Sequence, residues 1–230
     1  MPHREYRLYR IWRHIGVACA LAIGLCFPAF AQTGQPQKSL NAQILEFSKQ
    51  GDEARVRGVL AAGAVPDSRN RNGETPLFLF AQRGTVTAVA MLLEAGANPD
   101  LATLEKSTPL MAAAAGGHVG VARALIEAGA NVDKVDQIDK TALLYAAANG
   151  HVHIVDLLLD RGIDVNARYR HDLTALMWAA GYGRVEAVER LLERGADAGL
   201  KDDRGMTAAD IAAQQGFVDM ADRLRAAAQP

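Results

Sequence analysis

Cysteine is nearly absent. The 230 residues hold two, Cys19 and Cys26, and both precede residue 32. A chain cleaved after its first 31 residues has no disulfide, no thiol nucleophile and no cysteine-ligated zinc. Excess charge of one sign is missing as well. There are 25 basic and 26 acidic residues, a formal net charge of −1, which gives no footing to a strongly basic nucleic-acid binder. No nucleophile elbow, phosphate-cradling glycine loop or cysteine–histidine pair is present. The acids are spread along the chain and not gathered. What the chain does have is apolar content: 50% of its residues are hydrophobic, which excludes a wholly disordered protein.

The N-terminal 31 residues differ from the rest. Arg4, Arg7, Arg10 and Arg13 precede an uncharged run, residues 15–30, and Ala29-Phe30-Ala31 then leads into the polar stretch QTGQPQKS. A basic start, a short apolar run and a small-x-small site form the secretory signal pattern. The apolar run is short for the roughly 20 residues of a membrane helix, and Pro28 interrupts it. No twin-arginine pair precedes it. The segment is similar to bacterial export signals. Cleavage after Ala31 is expected, with a periplasmic or secreted product. Two alternatives stand beside it: an uncleaved inner-membrane anchor, and a lipid-modified Cys19. Removing 1–31 leaves 21 basic and 25 acidic residues, a net charge of −4. Residues 32–39, rich in Gln, Gly, Pro and Ser, read as a linker.

The remainder repeats every 33 residues. Threonine recurs at 75, 108, 141, 174 and 207, and alanine at 81, 114, 147, 180 and 213. Glycine recurs at 84, 117, 150, 183 and 216, and valine at 86, 119, 152, 185 and 218. Leucine recurs at 92, 125, 158, 191 and 224, and a second glycine at 63, 96, 129, 162 and 195. Threonine can cap a helix whose first turn accepts Pro76 or Pro109. The small alanine lets a neighbouring helix approach. Each glycine can end a helix with positive φ. Val86 through Leu92 and Leu93 show helical apolar spacing and read as the buried face of a second helix. The Asn-, Asp- and Gly-containing remainder reads as an extended turn.

Helix, turn, helix and extended loop at this period, with Thr-Pro-Leu near the start, resemble the ankyrin repeat. The resemblance covers about residues 40–228. It implies an all-α solenoid of about six helix-turn-helix units joined by β-turn or hairpin loops: 40–69, 70–102, 103–135, 136–168, 169–201 and 202–230. This sequence departs from the family in two ways. The motif histidine after Thr-Pro-Leu is replaced by Phe78, Met111, Leu144, Met177 and Asp210. The turn glycine survives as Gly73 and Gly205 but is Lys106, Asp139 and Asp172 elsewhere, so less regular loop tips are expected. Arg225 and Asp210 in the last unit, and Ser48 and Glu53 in the first, put polar residues at otherwise apolar positions. They read as the capped ends of the stack.

Two patterns suggest metals. His151, His153 and Asp156 form a half-site, but His118 and His151 share one repeat position, on helices roughly 8–10 Å apart. Asn98, Asn131, Asp164 and Asp197, with Asp100 and Asp133, suggest calcium, although the same residues bond local backbone in turns. The repeat-position reading is preferred for the histidines and the turn reading for the Asn and Asp residues.

In ankyrin-type stacks, partners dock on the concave surface formed by the loop tips and the exposed side of helix one. The resemblance places Arg71, Asn72, Glu74, Gln82 and Arg83 there from the first full unit. The next two supply Leu104, Glu105 and Ser107, then Gln137, Ile138, Lys140 and Asn149. The fourth supplies Arg170, His171, Leu173 and Tyr182, and the last Arg204, Met206 and Gln215. The apolar residues among these either bind a partner or pack between loops. Tyr145 and Trp178 fall at a helix-one position that is usually core. The expected protein is an exported, monomeric, non-enzymatic interaction module. It has no cofactor, no nucleic-acid partner and no membrane association after cleavage, and it binds an unidentified protein. An enzyme or metal-binding protein on the same scaffold is the alternative, and a clustered acidic or histidine pocket would favour it.

Overall fold

A computed structural model describes residues 38–228. Segment 1–31 and linker residues 32–37 lie outside the described residues.

The described chain is helical throughout, in six pairs: α1 Leu40–Gln50 with α2 Glu53–Ala61, α3 Pro76–Arg83 with α4 Val86–Glu94, α5 Pro109–Gly116 with α6 Val119–Glu127, α7 Ala142–Asn149 with α8 Val152–Leu159, α9 Ala175–Gly181 with α10 Val185–Glu193, and α11 Ala208–Gln214 with α12 Val218–Ala227. Local chemistry sets the ends. The hydroxyl of Thr75 accepts the N–H of Phe78 at 3.1 Å, and Thr108, Thr141, Thr174 and Thr207 repeat the bond. At the other end of α3, Gly84 adopts φ 79°, and the N–H groups of Gly84 and Thr85 close on the carbonyls of Ala81 and Phe80.

Helix one of each full unit packs on helix one of the next: α3 on α5, α5 on α7, α7 on α9 and α9 on α11. Helix two follows in a second layer, α4, α6, α8 and α10. Ala81, Ala114, Ala147 and Ala180 are fully buried. With no side chain beyond Cβ they hold the helix-one layer closer than the helix-two layer. A stack with one tighter layer bends toward it, so helix one and the hairpins line the concave side.

Hydrogen bonds tie unit to unit at the same register. Nε2 of His118 lies 3.1 Å from the Gln82 carbonyl, and Nε2 of His151 lies 3.1 Å from that of Ala115. Nε of Arg184 donates to Ala148 O at 2.9 Å. These are the otherwise unsatisfied carbonyls at the end of the preceding helix one. Side-chain oxygens of Asp and Asn also tie units together beyond helix two. Asp67 accepts the N–H of Asn98, Asp100 that of Asn131, and Asn166 that of Asp197.

Each loop is a tight hairpin with a backbone bond from Asn70 N–H to Glu74 O or its equivalent, and in all but the fourth a second bond returns, as from Gly73 N–H to Asn70 O. Successive hairpins join through Leu104 N–H to Asn72 O and Gln137 N–H to Glu105 O. Gly73 has φ 75°. Lys106, Asp139 and Asp172 keep that left-handed turn at φ 60°, 61° and 55° despite their side chains. The irregularity expected where glycine is lost is confined to the fourth hairpin. There His171 is left-handed too, and Arg170–Asp172 tightens to a 3-10 turn.

Two expectations are corrected. The repeated valine is part of the buried face in only two units: Val119 and Val152 are half-buried against the core, but Val86 is 44% exposed, Val185 45% and Val218 61%. It opens helix two, where the side chain leans over the preceding turn. The buried face is Ala88, Val89, Met91 and Leu92. Ser48 does not form a polar outer side. It is fully buried, with its hydroxyl bonded to Ile44 O at 2.7 Å, and so replaces alanine without an unsatisfied group. Asp210 and Arg225 are exposed as the capped-end reading requires, and Asp210 reaches back to the N–H of Thr207 at 3.0 Å.

Candidate functional site

The concave side is built on two buried carboxylates. Asp136 accepts the N–H groups of Ile138 and Lys140, each at 2.9 Å, and the hydroxyl of Tyr145 at 2.6 Å. Asp202 accepts the N–H groups of Arg204 and Met206 and the Arg204 guanidinium at 2.7 Å. Burial pushes the Asp202 carboxyl up, but the N–H of Met206 and the two donors of Arg204 outweigh it and hold it below the usual range. Burial, and then the bond to Asp136, raise the Tyr145 phenol above its ordinary value, so it stays a donor. These bonds fix the third and last hairpins and aim their side chains across the groove.

A row of rings results. The Nζ of Lys140 sits 3.9 Å from the centre of the Trp178 ring and 5.5 Å from that of Tyr145. Trp178 in turn stacks on Tyr182 at 5.9 Å with 14° between planes. Tyr182 is 51% exposed. Beside this row lies an open hollow of about 460 Å³, walled by Met177, Trp178, Tyr182, Ile211 and Phe217, with Arg204 and Gln215 on its rim. A second hollow, of about 450 Å³, lies between the first two full units. Glu74, Phe78, Gln82, Leu104 and Glu105 line it.

The family comparison follows from the repeat. The model described as ankyrin repeats (3 copies) matches residues 45–136, 86–169, 129–202 and 169–229.

The chain belongs to the ankyrin-repeat family.

A search of curated proteins finds no match to it. As an ankyrin-repeat protein it carries a protein-interaction module, and its hairpins and helix-one faces can be read against the sequence expectations. Arg71, Leu104, Glu105, Ile138, Arg170, His171, Tyr182 and Arg204 are exposed. Glu74 is half-buried and accepts from Asn70 at 2.6 Å. His171 pairs with Asp203 at 2.7 Å. Leu173 and Met206 are half-buried against the core, and Leu173 also lines the first hollow. Lys140, Leu173, Tyr182 and Arg204 come together around the first hollow. Leu104, Glu74 and Glu105 meet at the second, while Arg71 and Ile138 line neither.

The ankyrin frame also shows what sequence reasoning missed. Tyr145 and Trp178 are half-buried and packed against the core, and Trp178 also walls the first hollow. Their equivalents are Leu79, Ala112 and Ile211. A position that accepts alanine and then enlarges to tyrosine and tryptophan in adjacent units was the available signal. Phe217 occupies the position of His118 and His151, and it covers Gly183 in place of donating a bond.

The Asn and Asp pattern is occupied in turn chemistry, while His151 contacts Ala115 O and Asp156 pairs with Arg190 and Arg194. Asn98, Asn131, Asp164 and Asp197 each accept the N–H two residues on, at 2.7–2.9 Å. Among the described residues, no three His, Cys, Asp or Glu side chains gather around a point.

Proposed function

We propose that this ankyrin stack is exported and binds a protein partner along its concave face, centred on units 103–135, 136–168 and 169–201. The observation that carries the reading is the row Tyr145, Lys140, Trp178 and Tyr182. Aromatic and cationic groups lie in the open groove, where the helical stack does not need them. Rings of this kind are favoured interface anchors because they bury much area at little entropic cost. The reading includes no catalysis, no cofactor and no nucleic acid. Among the described residues no helix is long and apolar enough to cross a membrane.

Export rests on the N-terminal charge and hydropathy pattern. Intact-mass measurement of protein from the producing cell should give a chain beginning at Gln32. A product that retains Cys19 or Cys26 contradicts export with cleavage.

Concave docking is tested by truncation. Tyr182→Ala should leave the helical circular dichroism and the unfolding midpoint nearly unchanged and weaken the captured complex by about 1–3 kcal/mol. The control is Glu189→Ala on α10, which removes an exposed ion pair with Arg223 of little energetic worth. Loss of binding in the control, with Tyr182→Ala, Arg170→Ala and Ile138→Ala unaffected, would move the site to the convex back.

A further inference from the structure

The chain has seven asparagines, all among the described residues. Six have a side-chain amide held by a hydrogen bond. Asn41 accepts the N–H of Val65, Asn70 those of Asn72 and Glu74, Asn98 that of Asp100, Asn131 that of Asp133 and Asn166 that of Asp197, while Asn149 donates to Tyr145 O. Asn72 is the exception. It is exposed at the tip of the first hairpin, and its side chain makes no hydrogen bond among the described residues. The residue that follows matters as well. The main-chain nitrogen of the next residue can attack the side-chain carbonyl of an asparagine, and a side chain on that residue obstructs the approach. Asn98 precedes Pro99, which has no N–H. Only Asn72 and Asn149 precede glycine, which has no Cβ and turns most freely. Their settings differ. Asn149 ends α7 in mid-stack, where Gly150 N–H bonds to Ala147 O at 3.1 Å, His151 N–H bonds to Ala146 O at 2.9 Å, and the side chain of Arg184 lies against Gly150. Asn72 is held by a single turn, through Gly73 N–H to Asn70 O at 3.0 Å and Leu104 N–H to Asn72 O at 2.9 Å. Gly73 is packed on Leu104, so attack takes place when the tip opens. A surface hairpin tip opens more often than a helix end held between neighbours.

We infer that Asn72 is a site of spontaneous modification, at which the folded protein loses the amide and gains a carboxylate. The Gly73 nitrogen bonds to Cγ of Asn72, the Cγ–Nδ2 bond breaks, and ammonia leaves with the proton of the Gly73 N–H. A five-membered imide remains. Solvent water then adds to one of its two carbonyls and opens the ring. Breaking the new N–Cγ bond gives aspartate. Breaking the old peptide bond gives isoaspartate, in which the main chain runs through Cβ and Cγ. No oxidant or reductant takes part. Both products alter the groove. Asn72 lines the second hollow with Glu74 and Glu105, so a third carboxylate joins two. In isoaspartate, the carbonyl that accepts the Leu104 N–H becomes part of the free carboxylate, and the coupling of the first two hairpins loosens. The chemistry is independent of the concave-face reading.

The test is incubation of protein expressed from the full sequence, folded and in urea, at mildly alkaline pH. Peptide mass spectrometry and enzymatic methylation of isoaspartate follow the products. In the folded protein, the peptide that holds Asn72 should be the first to gain the amide-to-acid mass difference, with isoaspartate at that position. Asn149 should convert at least about tenfold more slowly, because its helix end opens less often. In urea the two should convert at similar rates, ahead of the other five asparagines. Asn72→Gln should remove the early isoaspartate signal from the folded protein, with circular dichroism unchanged. Aged protein should unfold at a lower temperature than fresh protein, and aged Asn72→Gln should not. Three results overturn the inference. The first is conversion of another asparagine before, or as fast as, Asn72 in the folded protein. The second is a gap between positions 72 and 149 that urea leaves unchanged. The third is an intact Asn72 after many half-lives of a synthetic peptide of residues 69–76.

Discussion

Leu158→Ala should lower the unfolding free energy by about 2–5 kcal/mol, and the equivalent Leu224→Ala by less. Both side chains are fully buried, so the loss of transfer free energy is the same. The difference comes from position in the stack. Leu158 lies on α8, between α6 and α10, and a cavity there weakens two interfaces at once. Leu224 lies on α12, which packs chiefly on its own partner α11. In a one-dimensional stack, a weakened end unit frays while the other units stay folded, whereas a weakened middle unit uncouples the two halves. Urea unfolding of both variants, followed by far-UV circular dichroism, checks this. Equal losses, or a larger loss at Leu224, would contradict stability distributed through nearest-neighbour contacts.

The second large effect is at Gly73, where replacement by alanine should cost about 2–3 kcal/mol. Two terms add. The left-handed backbone, φ 75°, costs an L-residue about 1–2 kcal/mol. A Cβ at this position would also sit 2.9 Å from the backbone nitrogen of Leu104. Main chain cannot swing aside as a side chain can, so the next hairpin must shift. The bond from Leu104 N–H to Asn72 O, 2.9 Å long, then weakens, with about 1 kcal/mol at stake. The converse change, Lys106→Gly, should stabilise by up to about 1 kcal/mol, because it relieves left-handed strain but frees the unfolded chain. Thermal unfolding of both variants decides this. A neutral Gly73→Ala would mean that the hairpins do not depend on one another.

The scaffold was legible in the sequence because each repeated residue acts within its own unit. Thr75 caps the helix that follows it by accepting the N–H three residues on, Gly84 ends that helix, and Ala81 is small wherever the copy stands. These roles need only local spacing, and a period of 33 exposes them. Surface exposure does not follow from the period. Val86 shares the apolar spacing of helix two yet opens to solvent, because its direction depends on the turn at which it starts. Ser48 is polar in the sequence and buried in the fold because Ile44 O, four residues back, accepts its hydroxyl proton.

The candidate site was legible only in part, for a related reason. Tyr182, Lys140 and Arg204 were found because they vary at hairpin and helix-one positions. Trp178 and Tyr145 stand at a position that is usually core, and the contact that joins Lys140 to Trp178 crosses the boundary between two units, where the period gives no signal. Leu173 and Met206 stand at loop positions in the sequence, and the neighbouring loops are close enough to half-bury them. Whether an apolar residue at such a position packs or projects is decided by its neighbour one repeat away.

A photo-crosslinking amino acid placed singly at position 182 and at position 189 tests the docking surface most directly. With partner present and light applied, the groove position should give a covalent partner adduct by denaturing electrophoresis and mass spectrometry, and the α10 position should give none. Adducts from position 189 alone would contradict concave docking and place the partner on the helix-two face.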